Sequence, residues 1–144
     1  MTFTADLTKW CRDTAPDGLR DTVRKTLMEI DARLMLRSPV GDPSTWKGPA
    51  PSGYAGGRFK GNWQYTTGSS ASGEVDLIDP SGAVGSSRRQ SGMMSSNMET
   101  VHWFTNNVPY AQRLEEGHSW RQAPHGIINR IELEFPAIVE MAKR

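Results

Sequence analysis

The sequence predicts an α+β fold: a small antiparallel β-sheet flanked by an N-terminal long helix and a C-terminal helix, with a long extended loop between the first helix and the sheet. Three observations predict it. Apolar residues recur at helical spacing near both ends of the 144 residues, they alternate with polar residues in three short stretches between, and glycine and proline crowd residues 38–92.

The first long helix is read from Leu19, Val23, Leu27, Ile30 and Leu34, spaced four, four, three and four apart, with Arg20, Arg24, Lys25 and Glu29 on other faces. Asp17 is expected to cap its start, and Ser38-Pro39 to stop it, because proline disfavours helix in the residue before it. A separate short helix is expected over residues 6–14, carrying Leu7, Trp10 and Cys11, since Pro16 and Gly18 interrupt a continuous rod.

Residues 39–57 are too rich in glycine and proline to hold a helical or strand ladder. Trp46 and Tyr54 within them need a surface to cover, so the stretch reads as an extended arm that docks rather than as a plain linker. Strands are expected at residues 59–67, where Trp63 and Tyr65 alternate with polar residues, at 74–78 around Val75 and Leu77, and at 99–106 around Val101, Trp103 and Thr105. Asp79-Pro80-Ser81-Gly82 is a turn, and residues 83–98 read as a short helix within a loop.

After Asn106-Asn107, a short helix over residues 109–116 should end at Gly117. The C-terminal segment, with Ile127, Ile131, Phe135, Ile138 and Val139 at helical spacing, is read as a helix entered at Pro124 and kinked at Pro136. A strand at 128–135 followed by a helix from Pro136 is the alternative pattern. One domain accommodates everything: a helical region 6–37, an arm 38–58, a sheet with an irregular insertion 59–106, and a turn with the last helix 107–144.

Seventeen basic and sixteen acidic residues give a formal net charge of +1, which supplies no general attraction to a nucleic-acid backbone. No window approaches the ~18 apolar residues of a membrane span. The single Cys11 cannot form an internal disulfide, and the opening Met1 to Asp6 lacks the order of a signal peptide, so assembly in a reducing cytoplasm is expected.

His102, His118, His125 and Cys11 match no zinc spacing, and Cys11 beside Trp10 reads as a small core residue, so neither a metal nor a cofactor is expected. Neighbouring Glu115 and Glu116 do not share a helix face as a paired acid and base would, and read as salt-bridge partners. Gly53 to Gly57 and Gly82 to Gly85 lack the lysine and preceding strand of a phosphate loop. Arg88-Arg89 reads as a solvated basic run.

Two blocks carry a family resemblance. Asn106-Asn107-Val108-Pro109-Tyr110-Ala111-Gln112-Arg113-Leu114-Glu115-Glu116-Gly117-His118-Ser119, with Gln122-Ala123-Pro124-His125-Gly126, resembles the signature of phage tail-completion or Z-like minor tail proteins of long-tailed bacteriophages. Ser38-Pro39-Val40-Gly41-Asp42-Pro43 through Trp46, then Gly56-Gly57-Arg58-Phe59-Lys60-Gly61-Asn62-Trp63-Gln64, is similar to the segment linking the family's first long helix to its sheet. Residues 86–98 are richer in Ser and Met than that family's helix there, and Pro136 interrupts the last helix.

The resemblance implies a non-enzymatic virion protein of the phage tail or neck that helps join the tail to the head. It implies a subunit of a homohexameric ring whose partners are the tail terminator or tail tube and the head-closure or connector proteins, with DNA passing through unread. A small tail-associated hydrolase or cell-wall-acting enzyme is the competing function. Under the first reading the interface candidates are Trp46, Tyr54, Arg58, Asn107, Tyr110, Glu115, Glu116 and His118, and the structural anchors are Trp63, Pro109, Tyr110, Gly117 and Pro124.

Overall fold

The computed structural model describes residues 2–6 and 16–144, and the fold is α+β. Strand β1 (Thr2–Asp6) is followed by helix α1 (Pro16–Arg37), a 3-10 turn (Pro43–Thr45), helix α2 (Arg58–Gly61), strand β2 (Gln64–Thr67), helix α3 (Ala83–Ser95), strand β3 (Val101–Thr105) and helices α4 (Ala111–Glu115) and α5 (Ile128–Ala142). The sheet has the order β1-β3-β2, antiparallel throughout, with Phe3 and Tyr65 both in register with Phe104. Among the described residues no helix is long and apolar enough to cross a membrane.

Helix α1 buries the stripe its spacing predicts, Leu19, Val23, Leu27, Ile30 and Leu34, each contributing about 1.5–3 kcal/mol on leaving water. It begins at Pro16, which places Asp17 inside the first turn rather than before it. It ends before Ser38-Pro39 as expected, and the Ser38 hydroxyl then accepts the Trp63 indole N–H at 2.8 Å. Helix α5 packs along α1 with Ile131 and Ile138 buried, and Glu134 of α5 receives Arg33 at 2.9 Å together with Arg37. The Arg37 hydrogen bond, seconded by Arg33, holds the Glu134 carboxyl below the usual carboxylate range. This pairing is part-exposed, so it orients the helices more than it stabilises them.

Several expectations change. Residues 59–61 belong to α2, closed by the Gly61 and Asn62 N–H groups donating to the Gly57 and Phe59 carbonyls at 2.9 and 3.1 Å, so the strand starts only at Gln64, and Phe59 meets Trp63 edge to face at 5.8 Å. Residues 74–78 form no ladder. Val75 and Leu77 are half-buried, yet the Val75 N–H donates to the Asn62 side chain at 2.8 Å and not to a strand. Alternation reported which side is covered, and a side-chain amide took the place of a neighbouring strand.

Residues 83–95 form a full helix whose buried face is Gly85, Arg89 and Met93, four apart, so Arg89 is a core residue and the Arg88-Arg89 run is not uniformly solvated. Strand β1 was not foreseen, and the short helix expected around Leu7, Trp10 and Cys11 lies outside the described residues from residue 7 onward. The last helix starts at Ile128 and carries Pro136 inside it, which overturns the strand alternative. Pro124 therefore sits in the turn before α5, separated from it by Gly126 at φ +74°.

Candidate functional site

The arm of residues 38–57 doubles back on its own subunit. Asp42 initiates a 3-10 turn by accepting the Ser44 N–H at 2.9 Å, and the Ser44 hydroxyl, followed by this backbone bond, holds its carboxyl below the usual range. Trp46 and Tyr54 then meet edge to face with centroids 4.8 Å apart. Gly41 lies so close beneath Tyr54 that a Cβ there would come within 1.7 Å of its hydroxyl.

Opposite the arm stands the turn between β3 and α4. Asn106 is fully buried and donates to the Phe59 carbonyl at 2.8 Å, while Asn107 donates to the Ala71 and Gly73 carbonyls at 2.9 Å each. These two amides fix where Tyr110 emerges. Helix α4 ends at Glu115 with Gly117, φ +83°, turning the chain just past its cap as expected, and the chain turns through Ser119 to Gln122 with Trp120 projecting.

Between the two walls runs an open groove of about 740 Å³. The arm contributes Pro39, Trp46, Pro51 and Tyr54, the entry to α2 contributes Arg58 and Phe59, and the far wall contributes Tyr110, Leu114, His118, Trp120 and Arg121. The aromatic rings stay accessible: Trp46 is 41% exposed, Tyr54 36%, Tyr110 37% and Trp120 70%. Arg121 lies over the Trp120 ring at 4.8 Å, and Arg58 pairs with Glu74. Partial burial pushes the Tyr110 phenol up, and the nearby Arg58 charge opposes the shift.

Of the interface candidates, Trp46, Tyr54, Arg58, Tyr110 and His118 converge on this groove. Asn107, Glu115 and Glu116 do not line it. Asn107 pins the loop over 71–73, and Glu116 lies in solvent 3.7 Å from His118. The Glu115 carboxylate accepts the Ile127, Ile128 and Asn129 N–H groups at 2.8–2.9 Å and so closes the N-terminus of α5.

Among the anchors, Trp63 is buried. Tyr110 is not: its ring tilts over the buried Phe59 at a centroid distance of 6.3 Å and keeps a third of its surface open. Pro109 and Pro124 are exposed. Phe59, Leu114, Trp120 and Arg121 line the groove without having been singled out. A lone tryptophan in the polar turn Ser119-Trp120-Arg121-Gln122 is the signal that pointed there.

No family model, curated protein or solved structure matches the chain.

The remaining chemistry-bearing residues are placed apart from the groove. His102 is fully buried between the Tyr65 hydroxyl at 2.7 Å from Nδ1 and the Met98 carbonyl at 3.2 Å from Nε2, and burial lowers its pKa. His125 is exposed, and among the described residues no group of three His, Cys, Asp or Glu is placed to hold a metal ion.

Proposed function

We propose that the chain is a structural subunit of a bacteriophage tail or neck, joining tail to head as one member of a ring and acting by contact. The observation that carries this is a convergence. The two sequence blocks resembling phage tail-completion proteins are separated in the chain, and both contribute walls to one groove: Pro39, Gly41, Asp42 and Trp46 with Arg58 and Phe59 from the first, Tyr110, Leu114 and His118 from the second.

A groove with four part-exposed aromatic rings and two arginines has the composition of the centre of a protein–protein interface. Rings in a preformed setting lose little freedom when covered, so they suit recognition without chemistry. The ring's partners on this reading are further copies of the chain, the tail terminator or tail tube, and the head-closure or connector proteins. The near-zero net charge suits DNA passage, since a strongly basic lumen would retain phosphates.

Complementation tests the proposal. A Trp46→Ala/Tyr54→Ala chain should fold, because both rings are outside the core, yet heads and tails should accumulate unjoined. Wild-type yields of infectious particles from that variant would overturn the role given to the groove.

A further inference from the structure

The hydrogen-bond parity of the sheet turns two different sets of backbone groups outward, one along β2 and one along β1. Gly68 donates its N–H to the Val101 carbonyl at 2.9 Å, which makes 68 and 101 a hydrogen-bonded pair one position beyond β2. Antiparallel pairing alternates, so Thr66 and Gln64 also face β3 while the backbone N–H and C=O of Tyr65 and Thr67 face outward. On the other side of β3 the same alternation assigns Phe3 and Ala5 to the ladder and turns the backbone groups of Thr2, Thr4 and Asp6 outward. Among the described residues, no backbone group hydrogen-bonds to either outward set.

The β2 edge has room beside it. The outward Trp63 carbonyl is already occupied by Arg89 Nη1 at 3.0 Å, which marks where the open edge begins. Next to Tyr65 and Thr66 lies a slot of about 310 Å³, bounded by Arg88 and Gly92 of α3 and by Val75 and Leu77 of the extended segment that does not pair.

We propose that β1 of a second copy adds to the β2 edge, in parallel, so that the sheet runs on from subunit to subunit. This rests on the ring reading above and names one of its contacts. Strands β1 and β2 run in the same direction, both being antiparallel to β3, so a rotation that continues the sheet brings β1 alongside β2 of the next copy in parallel. Open strand edges are templates for pairing, and a β2-to-β2 dimer would leave both β1 edges unused. Two unlike edges joined head to tail leave none once the ring closes.

Proline at Thr67 tests this directly. The Thr67 N–H points away from β3, so Thr67→Pro removes a donor from the edge without touching the ladder inside the subunit. The variant should melt like the wild type in the full chain, while ring formation followed by light scattering weakens roughly tenfold or more. Cysteine placement gives a second readout in a Cys11→Ser background. Ala5 and Thr67 both register with His102, so Ala5→Cys or Phe3→Cys on one copy should form a disulfide with Thr67→Cys on another, whereas Thr4→Cys should not.

Rings that form equally well with Thr67→Pro overturn the edge contact and leave the ring reading in place. Cross-linking of Thr67→Cys to itself as the dominant product overturns head-to-tail pairing. A wild-type chain that stays monomeric at every concentration, alone and on purified tails, overturns both.

Discussion

Arg89, on α3, donates its Nε–H to the Asp31 carboxylate of α1, and the two side chains are 3% and 0% exposed. The pair is fully engaged. Ser86 donates to the other Asp31 oxygen at 2.5 Å, and Arg89 Nη1 donates to the Trp63 carbonyl at 3.0 Å, so one guanidinium ties α1, α3 and the start of β2 together.

Removing one member leaves a buried charge without its partner. Arg89→Met should therefore lower unfolding free energy by about 3–5 kcal/mol, and Asp31→Leu by a similar amount. The double variant should recover most of that loss, since apolar residues of similar volume often replace such a pair at little cost. Urea unfolding of the three variants gives the coupling, and additive losses would show that the charges do not act as a pair.

His102 makes stability depend on pH. Burial lowers its folded pKa below that of the unfolded chain, about 6.5, so the unfolded state binds the extra proton first. Stability from this group is complete above pH ~6.5 and is lost as the pH falls from there through the depressed folded value. His102→Phe should flatten the pH dependence of the melting temperature in that window. Tyr65→Phe, which removes the hydroxyl beside Nδ1, should cost about 1–3 kcal/mol at pH 7. An unchanged slope in His102→Phe would assign the pH dependence elsewhere.

The Glu115 carboxylate serves three amides at the start of α5. Glu115→Ala should cost about 1–2 kcal/mol, and Glu115→Gln less, because one acceptor oxygen remains. Calorimetric melting distinguishes them. Equal losses would mean that charge rather than hydrogen bonding dominates the cap.

Gly57 holds φ +108°, and a Cβ there would come within 2.4 Å of the Pro80 nitrogen. Gly57→Ala should destabilise by about 1–3 kcal/mol through strain and contact together. Gly53→Ala, at φ +73° with open space around it, carries the strain alone and should cost less. Thermal melts that rank the two in the opposite order would contradict the close approach at Gly57.

The parts legible in the sequence are those in which one physical signal dominates. The spacing from Leu19 to Leu34 announced α1, and Gly117 announced the end of α4. Helix α3 was faint because its buried face consists of a glycine, an arginine and a methionine, so hydropathy cannot see it. The Val75 and Leu77 alternation misled because the Asn62 amide, far from them in sequence, satisfies the backbone. Trp46, Tyr54, Arg58, Tyr110 and His118 could be named singly, but their meeting in one groove depends on Asn106 and Asn107 holding loops more than 30 residues away. Tyr110 looked like a core anchor because nothing local reveals that its ring lies over the buried Phe59.

A cryo-EM reconstruction of the virion neck, with density assigned to this chain, tests the central claim most directly. The account predicts six copies around the tail axis with the groove of Trp46, Tyr54, Tyr110 and Trp120 covered by a neighbouring protein. Absence of the chain from the virion, a single copy off the axis, or a ring whose grooves all face solvent would contradict it.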